Sequence, residues 1–163
     1  DEGGNWANTG KVNPSLLQLM LKEGYFNKPS PKSTGPDFFN LEWVKNTIDK
    51  NGEEVKPEDL QSTLLELTVM SLTKELKSLG VISDGLYFCG GGIHNKSLMK
   101  RIEKELGFRI LTTADIGVDP DYLEATSFAW FAAQRIKGRK FDLSKVTGSN
   151  REVFLGVITE PAI

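Results

Sequence analysis

The stretch that most restricts how this chain can fold is Leu86-Tyr87-Phe88-Cys89-Gly90-Gly91-Gly92-Ile93-His94-Asn95. Four apolar residues with aromatic weight predict a short buried strand. Three consecutive glycines break it. Asn95 then caps a helix whose apolar positions Leu98, Met99, Ile102 and Leu106 recur at helical spacing, and Gly107 ends it. A strand that runs through bare backbone into a helix N-terminus is a place to seat a nucleotide. Glycine has no Cβ, so a ligand can lie against the main chain. The helix end adds free N–H groups and positive dipole, which suit phosphate or ribose oxygens. A plain tight turn has the same spelling, and on this stretch alone the two readings stand level.

The flanks predict an α/β unit richer in helix than in strand. The opening Asp1-Glu2-Gly3-Gly4-Asn5 reads as a polar surface turn. Asn13-Pro14 places a cap and a first helical residue before Leu16, Leu17, Leu19, Met20 and Leu21, with Gly24 as the stop. Three prolines between Pro29 and Pro36 forbid regular helix, so residues 25–37 form a loop. Asn40 caps a helix through Trp43, Val44 and Ile48 that ends near Asn51-Gly52.

Pro57 opens the longest helix, to about Leu79. Leu60, Leu64 and Leu67 make one stripe; Leu65, Val69, Leu72, Leu76 and Leu79 make another. Two stripes predict a central, largely covered helix, with Met20, Met70 and Met99 as core. Phe108-Arg109-Ile110-Leu111 is a second strand, giving a parallel, right-handed β-α-β unit. Asp119-Pro120 reads as cap and first position of a helix running to about Lys137, whose alanines permit close approach of a neighbour. Residues 153–158 are a candidate last strand.

At 163 residues the chain is about one domain in size. A net charge of −2 gives no reason to expect a nucleic-acid or membrane-surface partner. Its single cysteine, Cys89, allows no internal disulfide; packing in the strand is its default role, and a reducing cytoplasm is the simpler setting. No apolar run is long enough to span a bilayer.

Two nucleotide motifs fail. G-x-G-x-x-G is broken by Asn95, and Ile110 and Leu111 stand where an acidic ribose partner would end the next strand. Lys32-Ser33-Thr34-Gly35 lacks the upstream glycine of a Walker loop. It remains a proline-stiffened loop with an ammonium and two hydroxyls, fit for an anion, an interdomain contact or plain solvation. His94, the only histidine, makes no metal site or triad by itself. Glu124 is a dipole partner of its helix or a carboxylate facing a cleft.

Taken together, Pro29 to Gly35, Phe39-Asn40-Leu41-Glu42-Trp43, Tyr87 to Asn95, Glu124-Ala125 with Phe128-Ala129-Trp130, and Val146-Thr147-Gly148 with Leu155-Gly156 resemble, in order, the C-terminal half of anhydro-N-acetylmuramic acid kinases. Two departures stand out: Ser30 replaces a usual proline, and Pro36-Asp37 a usual Arg-Glu.

The resemblance implies a ribonuclease-H-like C-terminal domain of the sugar kinase, actin and Hsp70 type, helix-rich with a small mixed sheet, over residues 1–163. It implies ATP and Mg²⁺ as cofactors and a cytoplasmic homodimer when full length. It also implies hydrolytic opening of the 1,6-anhydro ring with phosphorylation of O6, in peptidoglycan recycling. Levoglucosan kinases, and a non-catalytic sensing or assembly domain of the same fold, are the alternatives. By resemblance Gly90, Gly91, Gly92, His94 and Asn95 face the nucleotide. Glu124, Lys32, Ser33 and Thr34 fall on the substrate or cleft side. The family's G-T-S-x-D-G loop and the D-T-G-P-G-N block with the general-base aspartate are not in this chain. That makes it, as an expectation, a half without catalytic or metal-binding residues of its own.

Overall fold

The computed structural model describes residues 1–80 and 85–159. Its centre is the helix predicted to be central. In chain order the helices are α1 (Asn5–Thr9), α2 (Pro14–Leu21), α3 (Leu41–Asn51) and α4 (Pro57–Ser78), then α5 (Lys96–Leu106), α6 (Leu123–Ile136) and α7 (Ser144–Thr147). The strands are β1 (Tyr87–Phe88), β2 (Leu111–Thr112), β3 (Lys140–Phe141) and β4 (Val153–Phe154).

The two stripes of α4 serve two cores. Leu60, Leu64 and Leu67 pack with Leu16, Leu17 and Met20 of α2. Val69 and Leu72 pack with Ile102 of α5 and Ile110. Leu16, Met20 and Ile102 are fully buried. The chain's start is drawn against α4 by the Lys11 amide, which donates to Asp59 at 2.7 Å, and the Asn13 amide, which donates to Thr63 at 2.9 Å. Gly10 sits so close that a Cβ there would lie 1.9 Å from the Glu58 carbonyl oxygen.

The caps follow the sequence. Asn13, Asn40 and Asn95 accept from the amides of Leu16, Trp43 and Leu98 at 2.9–3.0 Å. Gly52 and Gly107 close α3 and α5 in the left-handed conformation. β1 and β2 pair in parallel around α5, Tyr87 opposite Leu111 and Phe88 opposite Thr112.

Several expectations are corrected. Among the described residues there is no single mixed sheet but two two-stranded ones, β1–β2 parallel and β3–β4 antiparallel. The first strand is only half buried. In a pair covered on one side, alternate residues face outward, so Tyr87 is 39% exposed and Cys89 is exposed rather than packed. The second strand begins at Leu111, not Phe108. The opening residues form a 3₁₀ turn and α1, with Gly4 and Ala7 buried, because Asp1 accepts from the Trp6 and Ala7 amides. Met70 is 39% exposed and not core. α6 starts at Leu123: Asp119 accepts from the Asp121 amide, making a turn instead of a cap.

Candidate functional site

The glycine bend is open. An added Cβ at Gly90 or Gly91 would meet nothing within 4 Å, and at Gly92 only Leu98, at 4.0 Å. Gly90 takes φ 75°, ψ 176°, a conformation that favours glycine. Gly91–His94 then form one 3₁₀ turn that hands over to α5 at Asn95. The first amides of that turn have no acceptor inside their own helix.

Beside the bend runs a groove of about 860 Å³ between the opening turn and α5, lined by His94, Lys96, Ser97, Lys100, Arg101 and Lys104 on one side and Glu2, Gly3, Asn5 and Asn8 on the other. The α5 wall carries the cations Lys96, Lys100, Arg101 and Lys104, and the facing wall carries Glu2, Asn5 and Asn8, so the groove offers donors and acceptors to an anionic, hydroxyl-bearing ligand. Arg101 is steadied by Glu66 at 3.0 Å and Ser62 at 3.3 Å. Ser97 donates to the Gly4 carbonyl at 3.2 Å and accepts from Asn8.

The bend is also braced from the other side. The Gly90 amide donates to the Pro120 carbonyl at 2.9 Å. The Nε2 of His94 lies 2.9 and 3.0 Å from the two carboxylate oxygens of Asp121. Asp121 was missed from sequence because its segment read as the inside of a helix. The lysines at positions 96, 100 and 104 were visible as a helical stripe, but only the fold sets them against the opening turn.

Gly90, Gly91, Gly92, His94 and Asn95 follow one another around the bend; of these His94 lines the groove, while Asn95 is spent on capping α5. The remaining predicted residues are not gathered with them. Lys32 and Thr34 line a separate, apolar cavity of about 750 Å³ with Tyr25, Phe39, Trp43, Leu64 and Glu75. The Lys32 ammonium bonds Glu75 at 2.6 Å and lies 5.3 Å from the centre of the Tyr25 ring, so its charge is already balanced. Ser33 is exposed. Glu124 is exposed in the first turn of α6 and lines neither space.

Two carboxyls sit below the usual carboxylate range. The Thr112 amide and hydroxyl hold Asp115 there, and the Ser144 amide and hydroxyl hold Asp142. Both close turns away from the groove. Among the described residues no three His, Cys, Asp or Glu side chains are grouped to hold a metal ion, and no helix is long and apolar enough to cross a membrane.

The family model for anhydro-N-acetylmuramic acid kinase matches residues 1–161. The chain belongs to the anhydro-N-acetylmuramic acid kinase family. Relatives bearing that name include a Coxiella burnetii protein, 42% identical over 161 residues, and a Pseudomonas syringae pv. syringae protein, 43% identical over 159. A third, from Saccharophagus degradans, is 40% identical over 162 residues. Each alignment takes in 97–99% of this chain but only 42–43% of the relative. The chain therefore spans less than half the length of the anhydro-N-acetylmuramic acid kinases it matches.

Proposed function

We propose that this chain is the C-terminal, ATP-binding region of a kinase acting on 1,6-anhydro-N-acetylmuramic acid. Water adds at C1 as the C1–O6 bond breaks, and O6 takes the terminal phosphoryl group of ATP, giving N-acetylmuramic acid 6-phosphate and ADP. The helix-rich α/β unit is, on this reading, the ribonuclease-H-like half of a two-domain enzyme, with the parallel β1–β2 pair inside its sheet. The general-base aspartate and the first phosphate loop belong to the other half. Mg²⁺ accompanies the ATP phosphates, as phosphoryl transfer requires.

The observation that carries this reading is the open glycine bend with a groove beside it whose α5 wall is cationic, in a member of this kinase family. Bare backbone at Gly90–Gly92 lets a nucleoside approach the main chain, and the start of α5 adds a field that favours its oxygens. Ammonium groups along α5 balance phosphate charge. Glu124, at the start of the next helix, serves the sugar or water side of the cleft.

The test is calorimetric titration of the chain with ATP. Gly91 is not among the glycines with positive φ, so Gly91→Val fills the bend without straining the backbone. ATP binding in the parent chain and its loss in Gly91→Val are expected. Undiminished binding in the variant would show that the bend is not the nucleotide seat.

A further inference from the structure

We propose that Asp121 is a positioning residue for the nucleotide seat: it fixes His94 with Nε2 protonated, leaving Nδ1 as an acceptor for a nucleoside N–H or O–H. The proposal deepens the reading above and rests on it.

A carboxylate only accepts hydrogen bonds, so the contacts of 2.9 and 3.0 Å to Asp121 require His94 Nε2 to donate. A neutral imidazole carries one ring proton, so Nδ1 keeps its lone pair. The backbone that carries this carboxylate is itself held in place. The Asp121 amide donates to Asp119 at 2.9 Å, the Tyr122 amide donates to the Asp119 carbonyl at 3.2 Å, and the Pro120 carbonyl accepts from Gly90 at 2.9 Å. The pair is thus one strut of a two-point brace between the bend and the entry to α6.

His94 also lines the groove, among the acceptor-bearing Glu2, Asn5, Asn8 and Ser97 as well as the cations of α5. Lys96, Lys100, Arg101 and Lys104 are pure donors. They suit phosphate, which at neutral pH chiefly accepts. An acceptor beside them suits the other end of a nucleotide, where the exocyclic amine of adenine and the ribose hydroxyls donate. His94, the groove residue that belongs to the bend's own 3₁₀ turn, would favour the base or ribose end of the ligand at the bend, and Asp121 keeps it in that state.

The experiment compares the parent chain with Asp121→Ala and Asp121→Asn by calorimetry. The titrants are ATP, purine riboside triphosphate (no exocyclic amine) and 2′,3′-dideoxy-ATP (no ribose hydroxyls). Asp121→Ala should weaken ATP about three- to tenfold, the worth of one ligand hydrogen bond, and Asp121→Asn, which keeps an acceptor oxygen, should restore most of it. The analogue lacking the contacted donor should bind the parent as weakly as ATP binds Asp121→Ala, with no further loss in the variant. Which analogue behaves so names the donor.

Because His94 is the only histidine, ¹⁵N spectra in mildly alkaline buffer show one imidazole. Its Nδ1 resonance should move upfield when ATP is added. Equal losses for all three titrants, or ATP binding that leaves Nδ1 unmoved, overturn the proposal while the ATP reading stands on its Gly91→Val arm. Absence of any ATP binding by the parent chain overturns both.

Discussion

Two helices of this molecule are both rich in apolar residues and end in opposite circumstances. α4 is largely covered: one stripe meets α2, the other meets α5, and α1 packs on it as well, while Met70, and Leu79 just after the helix, stay exposed. α6 is mostly bare. Of its residues only Gln134 is buried, while Phe128 is 63% exposed and Ile136 78%. Ala125, Ala129 and Ala132 lie on that same uncovered side. A groove of about 710 Å³ between α6 and residues 154–158 is apolar along most of its length. The contrast teaches that apolar content marks a helix for burial without saying what buries it. α4 meets helices on several sides; among the described residues α6 meets Phe141, Phe154 and Gly156 yet keeps Phe128 and Ile136 exposed.

Stability measurements should reproduce that contrast. The largest loss is expected at Met20→Ala, where a fully buried side chain leaves a cavity in the α2–α4 core; urea unfolding should show about 2–5 kcal/mol. Ile102→Val, a one-methylene deletion in the second core, should cost about 0.5–1.5 kcal/mol in the same assay. Ile136→Ser should change stability least, within about 0.5 kcal/mol, since that side chain is exposed. If Ile136→Ser proved as damaging as Ile102→Val, α6 would have a partner in solution, such as a second copy of the chain, and the contrast would fail.

Local signals were the legible ones. Asn13, Asn40 and Asn95 announce helix starts because a short side chain accepts an amide a few residues ahead. Gly52 and Gly107 announce helix ends for an equally local reason. The glycine bend and the parallel pairing around α5 follow from the same kind of evidence. What could not be read depends on residues far apart in the chain. Glu75 neutralises Lys32 from α4, and Asp121 meets His94 from another turn. Cys89 sits among apolar letters, yet faces outward because its strand has only one covered side. Asp119-Pro120 is a local exception: it fits a cap in spelling, but the Asp119 side chain bonds two residues on and delays the helix.

Gly4 ties the beginning of the chain to the bend. It lies at φ 80°, and a Cβ there would fall 2.2 Å from Asn95 Oδ1 and 2.6 Å from Ser97 Cβ. Those are the residue that caps α5 and one that lines its groove. Any bulkier residue at position 4 would have to shove that carboxamide off the Leu98 amide, unfastening the first turn of α5 from a point some ninety residues upstream. The glycine bend and the helix it leads into are, in this sense, latched from residue 4.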